Sequence, residues 1–166
     1  MRRLVVSLCL CAAGLGLCGV AFGVTKPPAV SPIYGVSIPE GYRSWNLVGV
    51  AQETGALDEL RAVVANGAGI QAYRAGTLPF PDGTVLVKLA WTHDQSTEFP
   101  PAFVPGRATT IQVMVKDSKR YAATGGWGFG SFIDGRPADI AQHTTCFACH
   151  EVNVRNHDFV FTRLAP

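Results

Sequence analysis

The pattern of apolar and polar positions along the chain predicts a series of short strands. Alternating or continuous apolar runs bounded by glycine, proline and aspartate are typical of strands. The clearest run is Thr84–Trp91, which follows a predicted turn at Pro81–Gly83. The other predicted strands are Trp45–Val50, Glu59–Val64, Thr109–Val115, Gly126–Ile133 and Asp158–Thr162.

Two segments have a helical pattern instead. Asn66–Arg74 predicts a short helix, weakened by two internal glycines and ended by Gly76. Ala138–Glu151 predicts a C-terminal helix that carries a Cys-x-x-Cys-His sequence. Many strands with a few separate helices indicate an α+β fold, formed mainly by an antiparallel β-sheet with a few short helices.

The first 23 residues have the pattern of a secretory signal peptide. Met1–Arg3 is cationic, Leu4–Val20 is almost wholly apolar, and Ala21–Gly23 provides small residues for cleavage after Gly23. The alternative is a retained membrane anchor, but the apolar run is shorter than the ~20 residues that a span needs. We therefore expect an exported, periplasmic protein that has no membrane contact after cleavage.

The remaining chain divides into a lead-in and one domain. Residues 24–40 contain four prolines and predict an extended segment. Residues 41–166 are numerous enough for a single hydrophobic core, and we expect one domain.

Removal of the signal peptide changes the composition that matters for function. Of five cysteines, only Cys146 and Cys149 remain, and the net charge falls from +2 to zero because Arg2 and Arg3 are lost. A neutral chain without a basic cluster gives no indication of nucleic acid binding.

The sequence Thr144–Glu151 contains Cys146, Cys149 and His150 in a Cys-x-x-Cys-His arrangement. Two cysteines at this spacing occur in dithiol redox sites, in zinc sites and in covalent haem attachment, and a directly following histidine favours haem. A redox dithiol needs its first cysteine at a helix N-terminus, whereas the helix here is predicted to begin well before Cys146. A zinc site would need four ligands, for which His157 could be added, but the spacing matches no usual zinc finger.

Covalent haem attachment explains all three residues of the motif. Cys146 and Cys149 would form thioethers to the porphyrin vinyl groups, and His150 would be the proximal ligand of the iron. The other N–H of His150 should donate to a carbonyl or carboxylate, a partner that the sequence does not identify. The motif therefore predicts a c-type haem protein with haem c and iron as cofactors.

The sequence offers no obvious ligand for the sixth position of the iron. Met114 lies in an apolar alternating strand and is predicted to be a core side chain, and His93 lies in a predicted loop. His143 and His157 lie close to the motif without a pattern typical of a ligand. An open iron is the working hypothesis, and an electron-transfer cytochrome that uses Met114 or His93 is the alternative.

Lys88 is the only charge in the apolar strand Thr84–Trp91. It could lay its stem along the sheet and keep its ammonium group in water. Alternatively, it could point into a pocket beside the haem, where desolvation would favour a neutral, nucleophilic amine.

Five motifs occur in order along residues 41–162: Gly41-Tyr42-Arg43-x-Trp45, Asp82-Gly83-Thr84-Val85-x-Val87-Lys88, Val115-Lys116-Asp117-Ser118-Lys119-Arg120, Cys146-x-x-Cys149-His150 and Asp158-Phe159-Val160-Phe161-Thr162. In this combination the chain resembles the cytochrome P-460 family. The resemblance implies a mainly antiparallel β fold, usually a homodimer, with His150 as the proximal ligand. It also implies a covalent bond from Lys88 to a porphyrin meso carbon.

The resemblance also implies a function. Members oxidise hydroxylamine to nitrogen oxides in the periplasm and bind nitric oxide, and the electrons would pass to a small periplasmic redox partner. A close relative, cytochrome c′-beta, shares the fold, lacks the crosslink and binds gases without catalysis.

The chain departs from the family pattern at Gln112. The resemblance implies a glutamate at this position, in the distal pocket, where it can take protons from substrate. Glutamine forms hydrogen bonds but cannot accept and release a proton near neutral pH. The haem chemistry is therefore expected to be intact, whereas efficient turnover of hydroxylamine is placed in doubt.

Overall fold

The computed structural model describes residues 27–166 of the chain. The predicted signal peptide, residues 1–23, lies outside the described residues. Among the helices in residues 27–166, none is both long and apolar enough to cross a membrane.

A six-stranded sheet forms most of the described chain. Each strand pairs antiparallel with the strand that precedes or follows it in sequence, so the strand order is β1-β2-β3-β4-β5-β6. The strands are β1 Asn46–Glu53, β2 Glu59–Ala65, β3 Val85–Gln95, β4 Phe103–Lys116, β5 Trp127–Ile133 and β6 Arg136–Pro137. The predicted α+β class with a mainly antiparallel sheet is confirmed.

Two helices accompany the sheet, α1 (Gly67–Ala75) and α2 (Ile140–Val154). The Asn66 side chain caps α1 by accepting a hydrogen bond from the Gly69 amide at 3.0 Å. Asp139 caps α2 in the same way, by accepting from the Gln142 amide at 2.8 Å. The short 3-10 helices are Tyr42–Ser44, Ala122–Thr124 and Arg155–His157.

Three local secondary-structure predictions are wrong. The described part of the lead-in is not extended throughout, because the chain turns at residues 32–34 and Val30 forms an antiparallel bridge with Ser37. Asp158–Thr162 is not a strand, because Asp158 and Phe159 have φ values of 49° and 63°, which turn the chain into the left-handed region. His93 does not lie in a loop, because β3 continues to Gln95 beyond the apolar run that defined the predicted strand. Strand β4 is also longer than predicted, and the two-residue β6 was not predicted.

The core contains Trp127, Phe132, Val48 and Val87, all of which are almost completely shielded from solvent. The segment before residue 41 contributes to this core through Tyr34, whose ring packs edge-on against Phe129 at a centroid distance of 5.4 Å. The core therefore includes residues from both sides of position 41.

Candidate cofactor site

Helix α2 presents the whole Cys-x-x-Cys-His motif on one face. Cys146, Cys149 and His150 are separated by three and four positions, so their side chains lie next to one another on the helix surface. All three line a cavity of about 470 Å³ between α2 and the sheet. This volume lies in the range of about 300–1,000 Å³ that is typical of sites for small molecules and cofactors.

His150 is held in one tautomer by a backbone carbonyl. Its Nδ1 lies 2.7 Å from the Phe159 oxygen, and a carbonyl oxygen can only accept, so Nδ1 carries the hydrogen. Burial lowers the pKa of His150, and the bond to Phe159 partly opposes this change. The ring is therefore kept neutral, and the lone pair of Nε2 is left for a metal ion.

Aromatic rings surround His150. Its centroid lies 5.0 Å from that of Phe129 and 4.9 Å from that of Phe161. These rings limit the orientations of the imidazole and give its surroundings an apolar character. A ligand histidine with a fixed tautomer and a fixed ring plane is suited to a permanent metal centre.

The two cysteines do not resemble a redox dithiol. Cys146 is the seventh residue of α2 and not its first, and burial raises the pKa of its thiol. Cys149 is exposed, and the two sulfurs form no disulfide in residues 27–166. Cys146 therefore lacks the lowered thiol pKa that the first cysteine of a redox dithiol requires.

The zinc alternative has no support from the positions of the side chains. His157 donates its Nδ1–H to the Val160 carbonyl at 2.8 Å and packs edge-on against Phe80. Within residues 27–166, no group of three or more histidine, cysteine and carboxylate side chains comes together as a metal site.

The sheet contributes Lys88 and Gln112 to the same cavity. They are direct partners on β3 and β4, in a row that continues to Val63 on β2 and Ser131 on β5. Because side chains on one such row share a face of the sheet, Lys88 and Gln112 lie side by side. The cavity therefore has the motif residues on its helix side and the lysine and the amide on its sheet side.

Lys88 forms an ion pair inside the cavity. Its Nζ lies 2.8 Å from Glu53 Oε2, and the other oxygen of Glu53 lies 2.9 Å from Arg61. Only 17% of the Lys88 side chain is exposed, so its ammonium group is not in bulk water as the first alternative predicted. Its amine is also not unpaired, because it contacts Glu53. Glu53 was not identified from the sequence, because only the register of β1 on β2 brings the end of β1 to the cavity.

The other candidate iron ligands have different positions. His93 pairs with Asp58 at 2.8 Å, at the far end of β3. His143 is fully buried: its Nε2 accepts from the Ser131 amide at 3.1 Å, and its Nδ1 donates to the Asp139 carbonyl at 2.8 Å. Met114, predicted as a core side chain, is only partly buried and lines the cavity.

The donor set of this cavity fits a covalently attached haem. Two thiols and an imidazole with a free Nε2 lie on one helix face, beside a cavity walled by phenylalanine rings. A Cys-x-x-Cys-His motif beside a cavity of this kind is the arrangement expected of a c-type haem protein.

Comparison with known families agrees with this class. The chain belongs to the cytochrome P-460 family, whose family model matches residues 39–162, most of the chain. No curated protein has significant similarity to the sequence. Membership of the family makes this a c-type haem protein with haem c and iron as its cofactors.

Proposed function

We propose that the protein oxidises hydroxylamine to nitrogen oxides at a haem with an open distal position. Cys146 and Cys149 would hold the haem through thioethers, and His150 would ligate the iron through Nε2. The observation that carries this proposal is the single cavity that joins His150 on α2 to Lys88 and Gln112 on the sheet. Export to the periplasm, a homodimeric state and a small periplasmic redox partner are parts of the same proposal.

Oxidation of hydroxylamine requires groups that take up protons and a centre that passes on electrons. Conversion of NH₂OH to NO releases three protons and three electrons, and the electrons would leave singly to an external one-electron acceptor. The haem, when bound, supplies the redox centre. Gln112 can orient the substrate by hydrogen bonds, whereas Glu53, held by Lys88 and Arg61, is a carboxylate of the same cavity that can take up a proton.

A second candidate function is nitric oxide binding without catalysis, as in cytochrome c′-beta. The observation that favours it is the neutral amide of Gln112 at the cavity, where the family resemblance implies a carboxylate. Such a protein would bind nitric oxide and would lack the Lys88 crosslink.

Optical spectroscopy of the purified haem protein tests the open iron. We expect a high-spin, five-coordinate ferrous haem that binds nitric oxide, and hydroxylamine should be oxidised in the presence of a dye acceptor. A low-spin, six-coordinate haem that does not respond to nitric oxide would contradict both candidate functions and favour an electron carrier.

Met114→Leu should leave the spectrum unchanged. The two side chains have similar volumes, and we expect Met114 to be part of the cavity wall and not an iron ligand. Spectra of the ferric and ferrous forms of the variant and the parent provide the measurement. A large shift of the iron bands in the variant would identify Met114 as a ligand.

Lys88 should be joined covalently to the porphyrin. Its position in the cavity and its pairing with Glu53 at 2.8 Å hold the amine beside a carboxylate that can take its proton. The carbon–nitrogen bond would replace one N–H and one porphyrin C–H, and the two protons and two electrons released would pass to an external oxidant of the peroxide class, giving water. Mass spectrometry after proteolysis should find the Lys88 peptide, the Cys146–Cys149 peptide and haem in one species.

Lys88→Arg is the matched variant, because it keeps the positive charge beside Glu53 and cannot form the same bond. Its spectrum should be that of an ordinary high-spin c-type haem. Full recovery of the free Lys88 peptide from the parent protein would place this chain with the gas-binding proteins.

A further inference from the structure

We propose that the buried ion pair of Lys116 and Asp158 is an anchor that holds the Phe159 carbonyl in its hydrogen bond with His150 Nδ1. In this role they are positioning residues that set how strongly the imidazole donates to the iron. The inference rests on His150 being the iron ligand, which is part of the proposed function. It assigns a purpose to two sequence motifs, Val115–Arg120 and Asp158–Thr162, that attachment of the haem does not explain.

The ion pair between Lys116 and Asp158 is almost fully buried. The Lys116 Nζ lies 2.7 and 2.9 Å from the two oxygens of Asp158, and the two side chains are only 6% and 8% exposed. Lys116 also donates to the Gly125 carbonyl at 3.0 Å and lies 5.0 Å from the centre of the Trp127 ring. These contacts satisfy both buried charges, and removing one partner would leave the other charge buried and uncompensated.

Asp158 is fixed through its backbone as well as its side chain. Its carboxylate accepts a hydrogen bond from the Phe80 amide at 2.8 Å, and its carbonyl accepts one from Trp127 Nε1 at 2.8 Å. Three separate parts of the chain therefore hold this one residue. The next residue is Phe159, whose carbonyl accepts from His150.

The turn at these positions is conformationally unfavourable. Asp158 and Phe159 are consecutive residues other than glycine with φ values of 49° and 63°, a region that costs energy for an L-residue with a side chain. The Phe159 ring fills the space above Gly125, where an added Cβ would collide with it. Such a turn persists only when its surroundings impose it, and the anchor imposes it here.

A third sequence motif contacts the anchor from the surface of the protein. Asp82, in the turn before β3, accepts hydrogen bonds from the Ser118 amide at 2.8 Å and from the Ser118 hydroxyl at 2.7 Å. These bonds lower the pKa of Asp82, so it remains ionised. The Gly83 amide also donates to the Lys116 carbonyl at 2.9 Å. The turn before Lys88 is thus connected through Lys116 and Asp158 to the carbonyl that holds His150.

The strength of the Nδ1–H···O bond controls the donor character of the ligating nitrogen. A firmly held acceptor increases the electron density of the imidazole and raises its basicity as a ligand. This stabilises the oxidised iron relative to the reduced iron. A looser Phe159 carbonyl should therefore weaken the bond between iron and His150 and raise the reduction potential.

Asp158→Asn tests the anchor in the haem-loaded protein. Asparagine keeps an acceptor for the Phe80 amide and removes the charge that pairs with Lys116. We expect a lower iron–histidine stretching frequency in the resonance Raman spectrum of the ferrous form, together with a higher reduction potential. Asp134→Asn is the matched control, because Asp134 is exposed, lies away from the anchor and has the same φ of 49° as Asp158, and it should leave both quantities unchanged.

Trp127→Phe provides a second route if Asp158→Asn fails to fold. It keeps a smaller aromatic ring in the core and removes the N–H that donates to the Asp158 carbonyl. The iron–histidine stretching frequency should again fall and the reduction potential should again rise, both by smaller amounts than in Asp158→Asn. Unchanged values in a folded, haem-loaded Trp127→Phe or Asp158→Asn protein would overturn the anchor alone. A parent protein in which His150 does not ligate haem would overturn the proposed function as well.

Discussion

Trp127→Ala should lower the free energy of unfolding by about 3–5 kcal/mol, the usual cost of removing a buried tryptophan side chain. Trp127 has no solvent exposure, and its ring packs edge-on against Phe80 at a centroid distance of 5.9 Å. The substitution also removes the hydrogen bond to the Asp158 carbonyl and leaves Lys116 without the ring beneath it. Urea unfolding of the haem-loaded protein, followed by far-ultraviolet circular dichroism, gives the free energy.

Trp45→Ala is the control for this result. Trp45 is the same residue type but is only partly buried, packed against the outside of the core. Its loss should reduce the free energy of unfolding by clearly less than that of Trp127, because less apolar surface returns to water. Equal losses for the two variants would contradict the assignment of Trp127 to the centre of the core.

The sequence was informative where local chemistry decides the structure. The strand at residues 84–91 follows a proline–aspartate–glycine turn and consists almost wholly of apolar residues, so it could be predicted without knowledge of distant contacts. Helix α1 has its cap at Asn66 and its left-handed terminator at Gly76, which are signals that can be read directly. The spacing of Cys146, Cys149 and His150 likewise places them on one helix face without knowledge of the sheet.

The prediction failed where distant contacts override local preference. Residues 158–162 are aromatic and β-branched enough to favour a strand, but the buried pair of Lys116 and Asp158 holds the chain in a left-handed turn. Strand β6 is only two residues long, too short for any periodic pattern.

Two components of the site have no sequence signature. The acceptor for His150 is a backbone carbonyl, that of Phe159, and every residue has such a group. Glu53 is an ordinary charge at a strand end, and only the register Glu53↔Glu59 brings it to Lys88. Register and backbone hydrogen bonds are set by the whole fold, so these two contacts could be found only in the structure.

The other large effect that we expect concerns Gln112, whose replacement by glutamate should raise hydroxylamine turnover by about tenfold or more. A positioned general base typically contributes ~10²–10⁴-fold to steps that transfer protons. Gln112 lies beside Lys88 in the register of β3 on β4 and lines the cavity, so a carboxylate there would face the substrate. The affinity for hydroxylamine should change little, because the gain lies in proton transfer.

Steady-state oxidation with a dye acceptor, on proteins whose Lys88 crosslink has been verified, measures the effect. Thr110→Glu is the matched control, because Thr110 lies two positions away on β4 and lines the same cavity. It adds the same charge at a different place, so it should not reproduce the gain if position is what matters. Equal rates for the parent and Gln112→Glu would remove Gln112 from the mechanism. They would leave Glu53 and Glu59, the two carboxylates among the described lining residues of the cavity, as the candidates for taking up the protons.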